Sequence, residues 1–393
     1  MTADRLEILV VSGDPSLVDE VRQAAAATDD VHASIRSAEG PREAVSTVRR
    51  RPVDLVCIEF GLDPKPIRDL ATELRTIAPN VMLLGLHPPD LEHADSPVLI
   101  EALRLRFVDV LRRPISGTEL RTILRDLEEA SARLRGNQGL LVAFHSTKGG
   151  VGKSTLAINS ACALARERPG RVLLVDASLQ LGVCAPALDL DPEAGLADAA
   201  RECARLDPSL LRGLTARHES GLQVLAAPRD AVDAADVDEA ALSRVLAIAR
   251  QSFEVVVVDT LPMVDDLMIA VLDQADRIFL VNQATVPDVI GASRLLDVLR
   301  RLEIDAERWR VVVNRTMPRF SGALTAEEIE SRLGMPVAYE IPFDRRVLSG
   351  LNLGEPYVLR ARTWSGWGRA VAELVSDVEG AVAERHGASR TAS

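Results

Sequence analysis

Short apolar runs alternate with amphipathic stretches along nearly the whole chain. LEILVVS from Leu6, VDLVCIEF from Val53, VMLLGLH from Val81 and FVDVL from Phe107 predict strands, with a fainter one near Val31 to Ile35. Between them PSLVDEVRQAAAA, PREAVSTVRR and IRDLATELRTIA repeat apolar residues at spacings of three and four, the period of a half-buried helix. Such alternation predicts a parallel sheet covered on both faces. Five units end near residue 130, and the polar stretch Leu127 to Gly139 marks a boundary. A second series follows: LLVAFHS from Leu140, RVLLVDAS from Arg171, LQVLAAP from Leu222, EVVVVDT from Glu254, RIFLVNQA from Arg277, WRVVVNR from Trp309 and VAYEIPF from Val337. Runs such as VVVV are apolar on both faces, as central parallel strands are. A last helix is predicted over Trp367 to His386, with Val371, Leu374, Val375, Val378 and Val382 on one side. It is expected to pack on the second domain through Trp364 and Trp367, and the tail GASRTAS is expected to be disordered. The fold class is therefore α/β with two domains: 1–126, a linker over 127–138, a larger domain over 139–360, and a C-terminal helix and tail over 361–393.

Composition narrows the classes. With 47% hydrophobic and 26% charged residues, the 393-residue chain is globular rather than disordered. No apolar run reaches the roughly 18 residues that span a bilayer, and MTADRLEILVVSGD is not a secretory signal. The four cysteines lack metal-binding or disulfide spacing, which fits reduced thiols and a cytoplasmic address. A net charge of -12 gives no global pull toward DNA, so no specific nucleic acid is expected. Glu373, Asp377, Glu379 and Glu384 give the last helix an acidic polar face, unlike a membrane-surface helix. Arginine supplies nearly all positive charge; the only lysines are Lys65, Lys148 and Lys153. Two of the three lie within one glycine-rich stretch, where a compact ammonium fits and a planar guanidinium does not.

That stretch is KGGVGKST, Lys148 to Thr155, between a predicted strand and the helical pattern LAINSACALARE. It matches the second half of the phosphate-binding form G-x-x-x-x-G-K-[ST]; the first glycine of that form would fall at Thr147. Glycines let successive backbone N–H groups converge on one anion, and the helix offers its positive end. Lys148, Gly149, Gly150, Val151, Gly152, Lys153, Ser154 and Thr155 are thus the candidate nucleotide-binding residues. Lys153 would neutralise phosphate charge and Ser154 would ligate Mg²⁺. RVLLVD ends at Asp176 and EVVVVD at Asp259, at strand carboxyl ends where α/β ligands gather. Either carboxylate can serve the Mg²⁺ shell or orient a water.

KGGVGKST resembles the deviant phosphate-binding loop of the ParA/MinD ATPases. The resemblance implies ATP and Mg²⁺ as cofactors and a homodimer on ATP binding, with Lys148 reaching the partner's phosphates. It implies catalytic roles for Lys148, Lys153, Asp176 and Asp259, Mg²⁺ ligation by Ser154 and Asp259, and an adenine site near Asn314, Arg315 and the loop of Pro342. The family usually carries D-x-D where this chain reads Asp176-Ala177-Ser178, so slow hydrolysis is implied. DASLQLG, LDLDPEAGLADA, GALTAEEIESRLGMPV and IPFDRRVLSGLNLGEP resemble the TadZ/CpaE branch, associated with Tad (Flp) pilus assembly. That branch implies pilus or secretion-machinery partners and recruitment to the inner membrane face or the cell pole. The first domain resembles a flavodoxin-like response-regulator receiver, but Glu59 stands at the acceptor position, Gly85 follows the fourth strand's apolar start and Arg113 stands where a lysine is usual. A docking module without phosphotransfer is implied. Two other readings stay open: a partitioning or cell-division positioning ATPase, and an ATP-bound scaffold that does not hydrolyse.

Overall fold

A computed structural model describes residues 6–26, 33–50, 53–60, 65–78, 81–87, 97–136, 138–180, 182–302, 304–318, 320–360 and 365–391. The chain forms two compact units that divide at Arg135/Gly136. The first runs β1 (Leu6–Val11), α1 (Pro15–Ala26), β2 (Ala33–Ala38), α2 (Pro41–Arg50), β3 (Leu55–Glu59), α3 (Lys65–Ile77), β4 (Met82–His87), α4 (Pro97–Arg104), β5 (Asp109–Arg112) and α5 (Gly117–Gly136). Its five strands are parallel, in the order β2-β1-β3-β4-β5. Alternate residues of β1 face opposite layers: Leu6, Ile8 and Val10 pack under α1 and α5, Leu9 and Val11 under α2 and α3. Helix α5 continues through most of the stretch expected to be a linker.

The second unit opens with β6 (Leu140–His145), α6 (Lys153–Glu167), β7 (Val172–Asp176), α7 (Leu196–Arg201), α8 (Pro208–Gly213), β8 (Ala216–Arg217), β9 (Gln223–Leu225), α9 (Ala231–Ala234) and α10 (Glu239–Ser252). It continues with β10 (Val255–Asp259), α11 (Asp266–Gln274), β11 (Arg277–Asn282), α12 (Val286–Arg301), β12 (Trp309–Asn314) and α13 (Ala326–Leu333). The last elements are β13 (Val337–Ile341), α14 (Arg345–Asn352), α15 (Tyr357–Arg360) and α16 (Gly366–Thr391). The sheet order is β13-β12-β11-β6-β10-β7-β9-β8, parallel except for the β8–β9 pair. Strand β8 was not predicted, because two residues carry no periodicity. The chain leaves β6 toward one side of the sheet, returns to β10, and crosses to β11 on the other side. Order reverses around β6, which is where open α/β sheets form their ligand crevice.

Helix α16 buries Val371, Leu374, Val375, Val378 and Val382 in the layer it shares with α6, as the sequence pattern requires. Trp367 meets the Tyr357 ring edge-on at 5.2 Å; Trp364 lies outside the described residues. The expected disordered tail differs: the helix runs on to Thr391. Its far end is tied to the start of β6. Arg385 donates to the Gly139 carbonyl at 3.1 Å and to Asp276, which also accepts from the Leu141 N–H at 2.7 Å and from Arg250 at 2.9 Å. Burial opposes the Asp276 charge, but the two guanidinium groups and the N–H outweigh it and hold the carboxyl below its usual range. Among the described residues no helix is long and apolar enough to cross a membrane.

Replacing Arg385 with Ala should lower the unfolding free energy by about 2 kcal/mol, the loss of charge-assisted hydrogen bonds to a buried carboxylate. A folded-state pKa below the unfolded one stabilises above the carboxylate range and ceases to do so as pH falls through it. Urea unfolding of the full chain should therefore show the deficit at pH 7 and a smaller one at about pH 3.

Candidate functional site

The crevice at the carboxyl end of β6 is floored by the turn from Ser146 to Gly152. Gly150 and Gly152 take φ of 79° and 84°, a left-handed conformation that favours glycine. A Cβ on Gly152 would stand 2.3 Å from Asn314 Nδ2, so space as well as conformation demands glycine there. Among the described residues, no backbone N–H from Gly149 to Thr155 donates to a protein acceptor. The loop's carbonyls are instead bonded by side chains: Ser146 Oγ donates to Lys148 O at 3.1 Å, Gln283 Nε2 to Gly150 O at 3.3 Å, and Asn314 Nδ2 to Val151 O at 2.8 Å. Convergent free N–H groups at the positive end of α6 are the chemistry of a phosphate cradle. The residues present therefore fit a nucleotide's phosphate chain.

Lys153 is buried, and its ammonium bonds Asp259 Oδ1 and lies 3.5 Å from Ser154 Oγ. Asp259, with no exposed surface, ends β10 as the register partner of Asp176 at the end of β7. Asp176 accepts from the backbone N–H of Ser178 at 3.1 Å and of Cys184 at 2.9 Å. Burial first, and the Asp259 charge second, push Asp176 up to about 6. Cys184 Sγ lies 3.7 Å from Asp259 Oδ2. Burial and the two carboxylates drive its thiol well above the ordinary range, so it stays neutral. Ser154 and Asp259 offer hard oxygen donors on one side of Lys153, a set that suits Mg²⁺. Ser178 is buried beside Asp176 and brings no charge. His145 Nδ1 is 2.7 Å from the Thr260 hydroxyl, which donates to Phe144 O, so His145 braces β6 against β10.

Lys148 points the other way. Its exposed ammonium is 3.6 Å from Asp288 Oδ2, a buried carboxylate in the first turn of α12 that also accepts from Thr285. A Cβ on Gly291 would stand 2.5 Å from Thr147 Oγ1, so α12 packs directly on the loop. Val286 and Ile290 are exposed on the same turn of that helix.

Arg315 and Pro342 line one open cavity of about 660 Å³ with Glu340, Phe343, Arg369 and Glu373. Arg315 pairs with Glu340 at 3.0 Å. Asn314 is buried, and its amide Nδ2 is bonded to the phosphate loop. Gln283, Asp288 and Gly291 were missed by sequence reasoning, since none sits in a motif. Position alone marks Gln283, which follows directly on β11 at the crevice.

Residues 142–357 match the model of the CobQ/CobB/MinD/ParA nucleotide binding domain. The chain belongs to that family. The septum site-determining protein MinD of Thermotoga maritima is 22% identical over 231 residues, covering 57% of this chain and 83% of that one. The crystal structure of a ParA family ATPase from Chlorobium tepidum superposes with a TM-score of 0.56 at 26% identity, covering 61% of this chain and 98% of that one. MinD of Pyrococcus horikoshii, solved as a complex with Mg-ADP, superposes with a TM-score of 0.54 at 19% identity over 63% of this chain and 98% of its own.

The first unit holds its own polar cluster, closed by one guanidinium. Arg113 bonds Glu20 at 2.9 Å, Asp14 at 3.1 Å, Ser16 at 3.2 Å and Glu59 at 3.3 Å. Ser12 donates to the other oxygen of Glu59. Burial opposes the Arg113 charge, and Glu20 and Asp14 outweigh it. The Phe60 ring fills the space beside Gly85, 2.3 Å from where a Cβ would stand.

Arg113→Met leaves three carboxylates facing one another. We expect a loss of about 1–2 kcal/mol at pH 7, read by thermal unfolding of the full chain. Repulsion raises the carboxylate pKa values in the folded variant, which then binds protons on folding. The gap to the unaltered protein should therefore narrow as pH falls toward about 4.

Proposed function

We propose that the second unit binds Mg-ATP and acts as an ATP-driven dimerisation switch. The observation that carries this reading is the row of free N–H groups from Gly149 to Thr155 at the N-terminus of α6, beside Lys153. Ser154 and Asp259 would hold Mg²⁺, which would supply charge neutralisation to the phosphates. Asp176 keeps the loop after β7 folded against the site through the Ser178 and Cys184 N–H groups. Arg315 and Pro342 border the base through their shared cavity. Lys148, exposed at the mouth, is the residue offered to a second copy; the family's signature lysine supports that role.

Ser178 in place of the second Asp of D-x-D makes hydrolysis slow. A hydroxyl can hold a water but cannot accept its proton as a carboxylate does. The task we assign is localisation or assembly of a Tad/Flp-type pilus machine, supported by the phrases shared with TadZ/CpaE proteins. It is carried out in the cytoplasm with pilus or secretion-machinery partners at the inner membrane face or pole. The first unit serves as a receiver-like docking module without phosphotransfer: Arg113 ties up the carboxylates around Glu59, and Phe60 fills the place beside Gly85. A second reading, the ATP-locked scaffold, is favoured by Ser178 alone.

Light scattering with ATP-Mg, with ADP and without nucleotide, with phosphate release followed in the same samples, tests the switch. Dimers should form with ATP-Mg only. Lys153→Ala should abolish nucleotide binding, and Lys148→Ala should keep binding but lose the dimer. Ser178→Asp should raise phosphate release about 10-fold or more, as restored carboxylate catalysis requires. ATP-dependent dimers without phosphate release would leave the scaffold reading standing, and a chain that ignores ATP would end both.

A further inference from the structure

We propose that Gln283 and Asn314 are positioning residues that aim the phosphate loop. This rests on the phosphate-binding reading above. A trans peptide is planar, so the carbonyl of one residue and the N–H of the next point in opposite directions. Fixing a carbonyl therefore fixes the neighbouring donor. Asn314 Nδ2 holds the Val151 carbonyl at 2.8 Å and so directs the Gly152 N–H. Gln283 Nε2 holds the Gly150 carbonyl at 3.3 Å and so directs the Val151 N–H. Ser146 does the same for the Gly149 N–H through the Lys148 carbonyl, at 3.1 Å.

The two amides are themselves held. Gln283 Nε2 also donates to Thr316 Oγ1 at 2.6 Å, and Thr316 Cγ2 would stand 3.3 Å from a Cβ at Gly152. Asn314 is 4% exposed at the end of β12, and its Nδ2 occupies the space a side chain at 152 would need. Each amide thus comes from the end of a sheet strand and reaches a glycine-rich loop, whose backbone has the widest conformational freedom to lose. A cradle ordered before its ligand arrives binds more tightly, because the ordering cost is already met.

A base reader and a loop positioner leave different signatures. The full chain, Asn314→Leu and Gln283→Met are compared by calorimetry for ATP, GTP and inorganic tripolyphosphate, each with Mg²⁺, after circular dichroism has matched the folds. Both variants are neutral, so the site's charge is unchanged. We expect each to weaken tripolyphosphate, which carries no base, as well as ATP: about 10-fold for Asn314→Leu and about 3-fold for the less buried Gln283→Met. A changed ATP-to-GTP ratio with tripolyphosphate binding intact would make Asn314 a base reader and overturn the proposal, as would unaltered affinity for all three ligands in the Gln283 variant. Failure of the unaltered chain to bind any of the three would instead bring down the phosphate-binding reading and this inference with it.

Discussion

The second unit is organised around one buried ion pair, Lys153 with Asp259. The lysine begins α6 and the aspartate ends β10, and neither is left to water. Burying both charges is costly and is tolerated only with good geometry and further partners. Here the partners are Ser154 beside the ammonium, and Cys184 and Asp176 beside the carboxylate. Two strands therefore have to end at the same level. The register does this, setting Asp259 opposite Phe144 of β6 on one side and Asp176 of β7 on the other.

The pairing is lopsided. One ammonium serves two carboxylates: burial first, and then the Asp259 charge that Asp176 meets without a cation of its own, raise the affinity of Asp176 for a proton. What compensates it is backbone: two N–H groups from the loop after β7. That ties the conformation of Ser178 and Cys184 to the charge state of the crevice, and any cation entering beside Asp259 would relieve the repulsion that Asp176 now feels. The loop after β7 and the crevice are linked through one carboxylate.

Much of this was legible in the sequence. Apolar runs gave the strands wherever they were longer than two residues, and KGGVGKST between a strand and a helix gave the cradle. The scarcity of lysine pointed to Lys148 and Lys153 before any motif did. The illegible part consists of contacts between elements distant in sequence. Gln283 bonds a loop 133 residues away and Asn314 one 163 away, and no local pattern encodes such pairs. The same holds for Arg113, which meets Asp14 across 99 residues, and for Gly291, whose small size is explained only by Thr147 packed against it. Motifs report which chemistry a segment can perform; the supports that aim it are spread over other strands.

The two units make opposite use of the same architecture. Both gather polar side chains at the carboxyl ends of parallel strands. In the first unit that end is closed: Arg113 takes up Asp14, Glu20 and Glu59, and Phe60 fills the remaining space beside Gly85. A guanidinium is a permanent cation with a fixed fork of donors, so it bridges the three carboxylates, although one positive charge against three negative ones leaves the cluster formally anionic. In the second unit the carbonyls of the loop are satisfied by side chains and its N–H groups are left facing the crevice. Such donors gain most from an anion. Free donors thus face the crevice in the second unit, whereas in the first the donors of Arg113 are taken up by side chains of the same unit.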